Sequence, residues 1–270
     1  MKDLLIAGFG DLGLRLSARL AADSSWRIHA LRRSAAHPAG ALINHRADLT
    51  QPESLRDLPP RFDAIVYQAT PSERSPSAYR AIYLDGLRNL LAATATDQLM
   101  MVSSTAVYGQ DEGQWVDESS VTEPEAFNGE ILLEAERLAL ESGGRVVRFS
   151  GIYGPDRDAL IRRLKAGQAR CREAPAQWTN RIHSDDAAGV LAHLLDQPDL
   201  GPVICASDDR PSPRCEVLDW LAERIGCPPP SRASEPDSGA GKRVGNALLR
   251  ASGYDFIYPD YRSGYQGLLP

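Results

Sequence analysis

The chain has 270 residues, 43% of them hydrophobic and 24% charged, with a net charge of −6, a composition that builds a soluble globular core. The acidic balance argues against a nucleic-acid or anionic-membrane surface. No apolar run approaches the roughly 18 residues of a membrane span, and Met1-Lys2-Asp3 leads into a strand rather than a secretory leader, so a cytoplasmic protein is expected.

The run Leu4-Leu5-Ile6-Ala7 ends in Gly8-Phe9-Gly10-Asp11-Leu12-Gly13, after which Leu12, Leu16 and Leu20 recur at helical spacing. A dinucleotide-binding unit requires this order of strand, glycine turn and helix. Gly8 permits the tight turn, Gly10 lets backbone approach a pyrophosphate at the helix N-terminus, and Gly13 lets the helix pack on the strand. Residues 26–31 alternate into a second strand ending in Arg32-Arg33-Ser34. No carboxylate stands there to hold a ribose 2′-hydroxyl, whereas two guanidiniums suit a 2′-phosphate, so NADP(H) is favoured over NAD(H).

Residues 44–47 read as a third strand before Asp48-Leu49, and 63–69 as a buried fourth strand bounded by Thr70-Pro71. A helix follows over 76–95, with Tyr79, Ile82, Tyr83 and Leu87 on its apolar face. Residues 98–102 form a fifth strand running into Ser103-Ser104-Thr105, Phe127–Glu141 a helix, and Arg145–Phe149 a sixth strand. Strands and helices alternating at this pitch predict an α/β fold with a doubly wound parallel sheet.

Beyond Phe149 the rhythm changes. A short basic helix is predicted near 158–165, irregular chain over 166–181, and a helix from Ser184 to about 196 with Asp185 and Asp186 favouring its dipole. Val203–Ala206 is one more strand, 213–226 a helix, 227–241 a Pro/Gly/Ser-rich connector, and 246–251 a short helix before a tyrosine-rich tail. The expected organisation is a nucleotide domain over 1–150, completed by about 183–206, and a small discontinuous substrate lobe from 151–182 and 207–270. Cys171, Cys205, Cys215 and Cys227 have no metal-ligand spacing and are expected to be reduced; no metal is expected.

Taken with Ser103-Ser104-Thr105-Ala106-Val107-Tyr108-Gly109 and Gly151-Ile152-Tyr153-Gly154-Pro155, the glycine turn makes the chain resemble the extended short-chain dehydrogenase/reductases, often labelled the NAD-dependent epimerase/dehydratase group. Asp48-Leu49, Gly86-Leu87-Arg88-Asn89-Leu90-Leu91 and Arg181-Ile182-His183-Ser184-Asp185-Asp186 extend the match over about residues 4–225. The resemblance implies a seven-stranded NAD(P)-binding Rossmann fold. It implies that Asp48 and Leu49 contact the adenine, that Ala69 and Thr70 line the cofactor, and that Ser103 lies near the nicotinamide ribose. Tyr153 would contact the cofactor or line the cleft. Gly8, Phe9, Gly10, Asp11, Leu12, Gly13, Arg32 and Arg33 complete the expected cofactor set. Extended members often dimerise through the helices after the fourth and fifth strands, which makes a homodimer possible.

The family's chemistry uses a Ser or Thr after the fifth strand and a Tyr-x-x-x-Lys one helical turn apart, the ammonium lowering the phenol pKa. Ser104 aligns with the hydroxyl, but the Tyr and Lys positions hold Asn128 and Leu132. An amide relays no proton at neutral pH and leucine carries no charge. Tyr83 is the candidate substitute phenol, against the plainer reading of a core aromatic. Tyr108 reads equally as a cleft or packing residue, and His183 as a structural hydrogen-bonder more than a base. Arg157, Arg162 and Arg163 could meet an anionic substrate or be solvated, and Glu130 and Glu134 read as a solvated face. The expectation is an oxidoreductase or epimerase-like enzyme acting on a small carbonyl or hydroxyl compound. The alternative is a catalytically inactive, NADP(H)-responsive binding or regulatory protein.

Overall fold

The apolar runs of the first half assemble into one sheet in the computed structural model, which describes residues 1–21, 25–34, 42–233 and 239–269. Its strands are β1 (Lys2–Ala7), β2 (Trp26–Arg32), β3 (Ile43–Arg46), β4 (Arg61–Tyr67), β5 (Ala95–Ser104), β6 (Arg145–Phe149) and β7 (Val203–Ala206). They lie in the order β7-β6-β5-β4-β1-β2-β3, and the β2–β3, β1–β2, β1–β4 and β4–β5 pairs are parallel. Leu4, Leu5 and Ile6 of β1 and Ala64, Ile65 and Val66 of β4 are fully buried, as unbroken apolar strands covered on both faces must be. This is the expected doubly wound sheet. Strand order reverses between β1 and β4, which opens a crevice beyond their carboxyl ends.

The helices that position the site are α1 (Asp11–Leu20), α2 (76–93) and α3 (Phe127–Glu141). The middle of α2, Ala81–Gly86, is a π-helical turn. Within this wider turn the Ile82 carbonyl accepts a hydrogen bond from the buried Tyr67 hydroxyl. Hydrophobic spacing cannot reveal a single widened turn, so the sequence predicts an unbroken helix. The helix ends earlier than predicted because Thr94 is extended and Ala95 already pairs with Arg61 in the sheet.

The chain divides into two compact units, one of residues 1–107, 124–148 and 188–204, the other of 108–123, 149–187 and 205–270. In the second, Glu112–Val116 pairs in parallel with Gly241–Val244, and Gly151–Tyr153 with Arg181–His183. The stretch predicted to be irregular contains Arg170–Cys171, paired with Ser231–Arg232, and Trp178–Thr179, paired with Ser212–Pro213. Helices α4 (Ala159–Lys165), α5 (Ser184–Leu195), α6 (Arg214–Ile225) and α7 (Tyr261–Gln266) complete the outline. Ile161, Leu164, Leu218, Leu221, Tyr261 and Tyr265 belong to one buried cluster. Part of the predicted 227–241 connector, 234–238, lies outside the described residues.

One expectation is corrected here. Cys171 and Cys215 form a disulfide within that cluster, with their Cα atoms 5.2 Å apart, so this pair is not reduced; Cys205 and Cys227 are free. Long-range strand pairing and the packing of α6 join residues whose spacing carries no signal. The cysteines therefore no longer argue for a reducing compartment. Among the described residues no helix is long and apolar enough to cross a membrane. Asp186 stands in the first turn of α5, as predicted, and has structural partners besides the helix dipole. It is fully buried, and its carboxylate accepts from the Ile257 N–H at 2.8 Å, the Tyr258 N–H at 2.9 Å and the Tyr254 hydroxyl at 3.0 Å.

Asp186→Ala strips these donors of their acceptor. It is expected to lower the unfolding free energy by about 2–4 kcal/mol, read as a fall in calorimetric midpoint, with Asp186→Asn less affected.

Candidate functional site

The glycine turn sits at the crevice between β1 and β4. Gly8 has φ +87°, and a Cβ there would lie 2.3 Å from the Cα of Ala69, so both the conformation and the space demand glycine. A Cβ at Gly13 would meet Gln68 Nε2 at 2.6 Å and Ile6 Cγ2 at 3.1 Å, the close helix–strand packing that the third glycine provides. A Cβ on Gly10 would find only the Gly8 carbonyl, at 3.9 Å. Gly10 is extended and, among the described residues, no side chain caps α1, a helix N-terminus of the kind that suits an anion.

A cavity of about 560 Å³ opens beside this turn, within the range of ligand pockets. Gly8, Phe9, Ala69 and Thr70 bound it near the turn, Asp48 and Leu49 come from the end of β3, and Arg32 and Arg33 from the end of β2. The strands bring together these eight predicted residues. Gly10, Asp11, Leu12 and Gly13 do not bound it: Leu12 is buried, and Asp11 accepts from Arg15 Nε at 2.9 Å. The Asp48 carboxylate is held in its own turn, accepting from Thr50 N at 2.9 Å and Thr50 Oγ1 at 2.8 Å. Arg32 Nε donates to Ser34 Oγ at 2.7 Å. Ser34 and Ile82 also bound the cavity, and Asn89 supports it by donating to the Leu49 carbonyl at 2.8 Å. Sequence reading missed these contributions, although Ser34 directly follows the arginines. Another cavity of similar size, bounded by Lys2, Trp26, Asp63 and Arg145, lies at the opposite, amino-terminal ends of the strands, away from the crevice.

At the end of β5 two adjacent serines part company. Ser103 is buried and donates to Glu136 Oε1 at 2.5 Å; Glu136 is 1% exposed and in turn accepts from Arg148 Nη2 at 2.7 Å. The Ser103 hydroxyl is thus committed to a buried ion pair. Ser104 is half-buried, and its Oγ accepts from the Ala106 N–H at 3.2 Å. A Cβ on Gly129 would lie 2.4 Å from the Ala106 carbonyl, so the first turn of α3 is pressed against the turn that follows Ser104. Asn128, in that helical turn, is half-buried and accepts from Arg74 Nη2 at 3.3 Å, while Leu132 is buried.

Tyr83 lies in the π turn, 8% exposed, its ring 5.4 Å from that of Tyr79. Burial pushes its phenol up to about 12, so it stays protonated at neutral pH. Glu134 forms an exposed bidentate pair with Arg80, and Glu130 is exposed. In the second unit, Tyr153 is buried and stacks on Tyr265 at 4.3 Å; Tyr108 donates to the Asp117 carbonyl at 2.7 Å. His183 is 2% exposed, and its Nδ1 accepts from the Asp185 N–H at 3.2 Å. All three are built into packing.

Because Arg148 would be left as an uncompensated buried charge, Glu136→Ala is expected to cost about 3–5 kcal/mol in a denaturant titration. Replacing the pair together, by Glu136→Met with Arg148→Leu, should recover most of that loss.

Residues 4–204 match the family model described as the NAD dependent epimerase/dehydratase family. A 3-diazoavenalumate denitrifying reductase from Streptomyces sp is 34% identical over 104 residues, 36% of this chain and 34% of that relative's length. A Methylobacillus flagellatus protein, described only by the same family, is similar at TM-score 0.84 and 38% identity, over 99% of this chain and 97% of its own. RMD from Pseudomonas aeruginosa, complexed with NADPH, shares the fold at TM-score 0.78 and 22% identity, over 100% of this chain and 98% of its own. The glycine turn at the strand-order reversal and the family match across most of the sequence lead to one conclusion: the chain belongs to the NAD-dependent epimerase/dehydratase family.

Proposed function

We propose that this protein is an NADP(H)-dependent oxidoreductase that acts on a small carbonyl or hydroxyl compound without the usual Tyr-x-x-x-Lys pair. The observation that carries this reading is the cavity at the glycine turn, whose β2 end presents Arg32, Arg33 and Ser34 and no carboxylate. The uncapped N-terminus of α1 suits the pyrophosphate, and the two guanidiniums suit a 2′-phosphate. One oxygen of the Asp48 carboxylate accepts from the Thr50 N–H and hydroxyl, which holds this acidic residue in its own turn at the β3 end of the cavity. A bound nicotinamide supplies or accepts hydride.

Ser104 polarises the substrate oxygen by hydrogen bonding, its hydroxyl steadied by the Ala106 N–H. Tyr83 is buried and keeps its phenol proton at neutral pH, so it or a water supplies the proton that completes the step. A second reading, an inactive NADP(H)-responsive binding protein, is favoured by Leu132, which buries an apolar side chain where the family places its lysine.

Calorimetric titration should show NADPH binding more tightly than NADH, with Arg32→Ala plus Arg33→Ala removing about ten- to a hundredfold of that preference. Equal affinities in both proteins count against the NADP(H) assignment. In a screen of small carbonyl compounds with NADPH, Ser104→Ala should lower kcat about a hundredfold at unchanged cofactor affinity. NADPH binding without any turnover favours the second reading.

A further inference from the structure

Within the second unit a cavity of about 230 Å³ is bounded by three arginines, Arg157, Arg181 and Arg214, and by no aspartate or glutamate. Ile152, Leu160 and Val217 supply apolar wall between them. Charges of one sign on a concave, partly apolar surface reinforce one another's potential rather than cancel.

Arg181 is the most constrained of the three. It is 6% exposed, its guanidinium lies 5.5 Å from the Tyr261 ring centroid, and its Nη2 donates to Thr179 Oγ1. Among the described residues its Nη1 has no hydrogen-bond partner. A buried charged donor left unpaired is costly, and a guanidinium fork matches carboxylate or phosphate oxygens. Tyr153, whose buried hydroxyl likewise has no partner among the described residues, belongs to the same cavity wall. A Cβ on Gly264 would fall 1.7 Å from that hydroxyl, so the ring is held close against backbone. Burial raises the phenol's pKa and keeps it a donor. Asp208, which acts electrostatically on Arg181, is 1% exposed and pushed up to about 8 by burial, so at neutral pH it leaves most of the arginine charge uncompensated. Arg214 opens α6 and is oriented by its Nε bond to the Arg170 carbonyl, at 2.9 Å.

We propose that this cavity binds the oxyanion group, carboxylate or phosphate, of a small organic molecule, with Arg181 and Tyr153 as buried donors and Arg157 and Arg214 as flanking cations. Its volume falls below the roughly 300 Å³ at which pockets enclose drug-sized ligands, so it takes the anionic end of a small molecule rather than a nucleotide. The site lies wholly within the second unit and does not depend on the dinucleotide reading.

The test uses the full chain at fixed ionic strength, titrated by NMR with benzoate, phenyl phosphate and the neutral isostere benzamide. At least one anion should bind and benzamide should not. Arg181→Gln should weaken binding at least about tenfold, and Arg157→Gln, at an exposed position, about threefold or more. The same binding should persist when Arg32 and Arg33 are alanine, which separates this cavity from the one at the glycine turn. Preference for benzoate identifies a carboxylate and preference for phenyl phosphate a phosphate; either supports the site. No anion binding at 10 mM (on the order of 3 kcal/mol), equal binding of benzamide, loss of binding in the Arg32/Arg33 variant, or undiminished binding in the folded Arg157→Gln and Arg181→Gln proteins overturns it. Should Arg181→Gln fail to fold, Arg157→Gln and Arg214→Gln decide the matter by the same readout.

Discussion

Two backbones meet where the strand order reverses, and much of the first unit depends on that contact. Gly8 follows β1 and Ala69 follows β4, and a side chain at position 8 would come within 2.3 Å of the Ala69 Cα and 2.5 Å of its nitrogen. This approach, at φ +87°, turns the chain from β1 into α1, and Gly13 then lets the helix settle onto Ile6 and Gln68. The result points an uncapped helix N-terminus into the crevice beside the ends of β2 and β3. A single methyl at position 8 would separate elements that together form the cavity wall. Glycine is therefore a packing requirement here as much as a conformational one.

Such local constraints are legible in sequence because each involves neighbours along the chain or the next strand of a regular sheet. The glycine turn, Arg32-Arg33 and the pairs Asp48-Leu49 and Ala69-Thr70 fall at the carboxyl ends of successive strands, so finding the strands finds the residues. What escaped reading is non-local. The pairing of Glu112–Val116 with Gly241–Val244 and the Cys171–Cys215 disulfide join distant segments without a periodic signal. The bond that the Ser103 hydroxyl makes escaped for a different reason. Adjacent strand residues face opposite sides, so the surroundings of buried Ser103 differ from those of half-buried Ser104. The buried Glu136–Arg148 pair is what Ser103 meets.

Helix α3 presents an apolar face where the resemblance implied a Tyr-x-x-x-Lys pair. Leu132 is 4% exposed beside buried Ile131 and Ala135, so the position at which the resemblance implied a lysine is part of an apolar face. A lysine restored at that position would have to bury its charge or displace packing, with a desolvation penalty that isolated reversion does not offset. Gly129 meanwhile keeps the first turn of that helix close against the turn after Ser104, since a Cβ there would lie 2.4 Å from the Ala106 carbonyl.

Net charge and local charge also separate. A chain of net charge −6 repels anions at long range only weakly, because physiological salt screens exposed charges beyond about 8 Å. What an approaching anion meets is the charge within that distance. At the glycine turn the cavity wall carries Arg32 and Arg33 together with Asp48, one of whose carboxylate oxygens accepts from Thr50, and in the second unit the described wall carries Arg157, Arg181 and Arg214. Cations confined to concave sites within an acidic surface suit small anions rather than extended polyanions, which need a broad basic face. The overall acidity that argues against nucleic acid is thus compatible with recognition of small anionic molecules, and the distribution of arginines rather than their number decides the outcome.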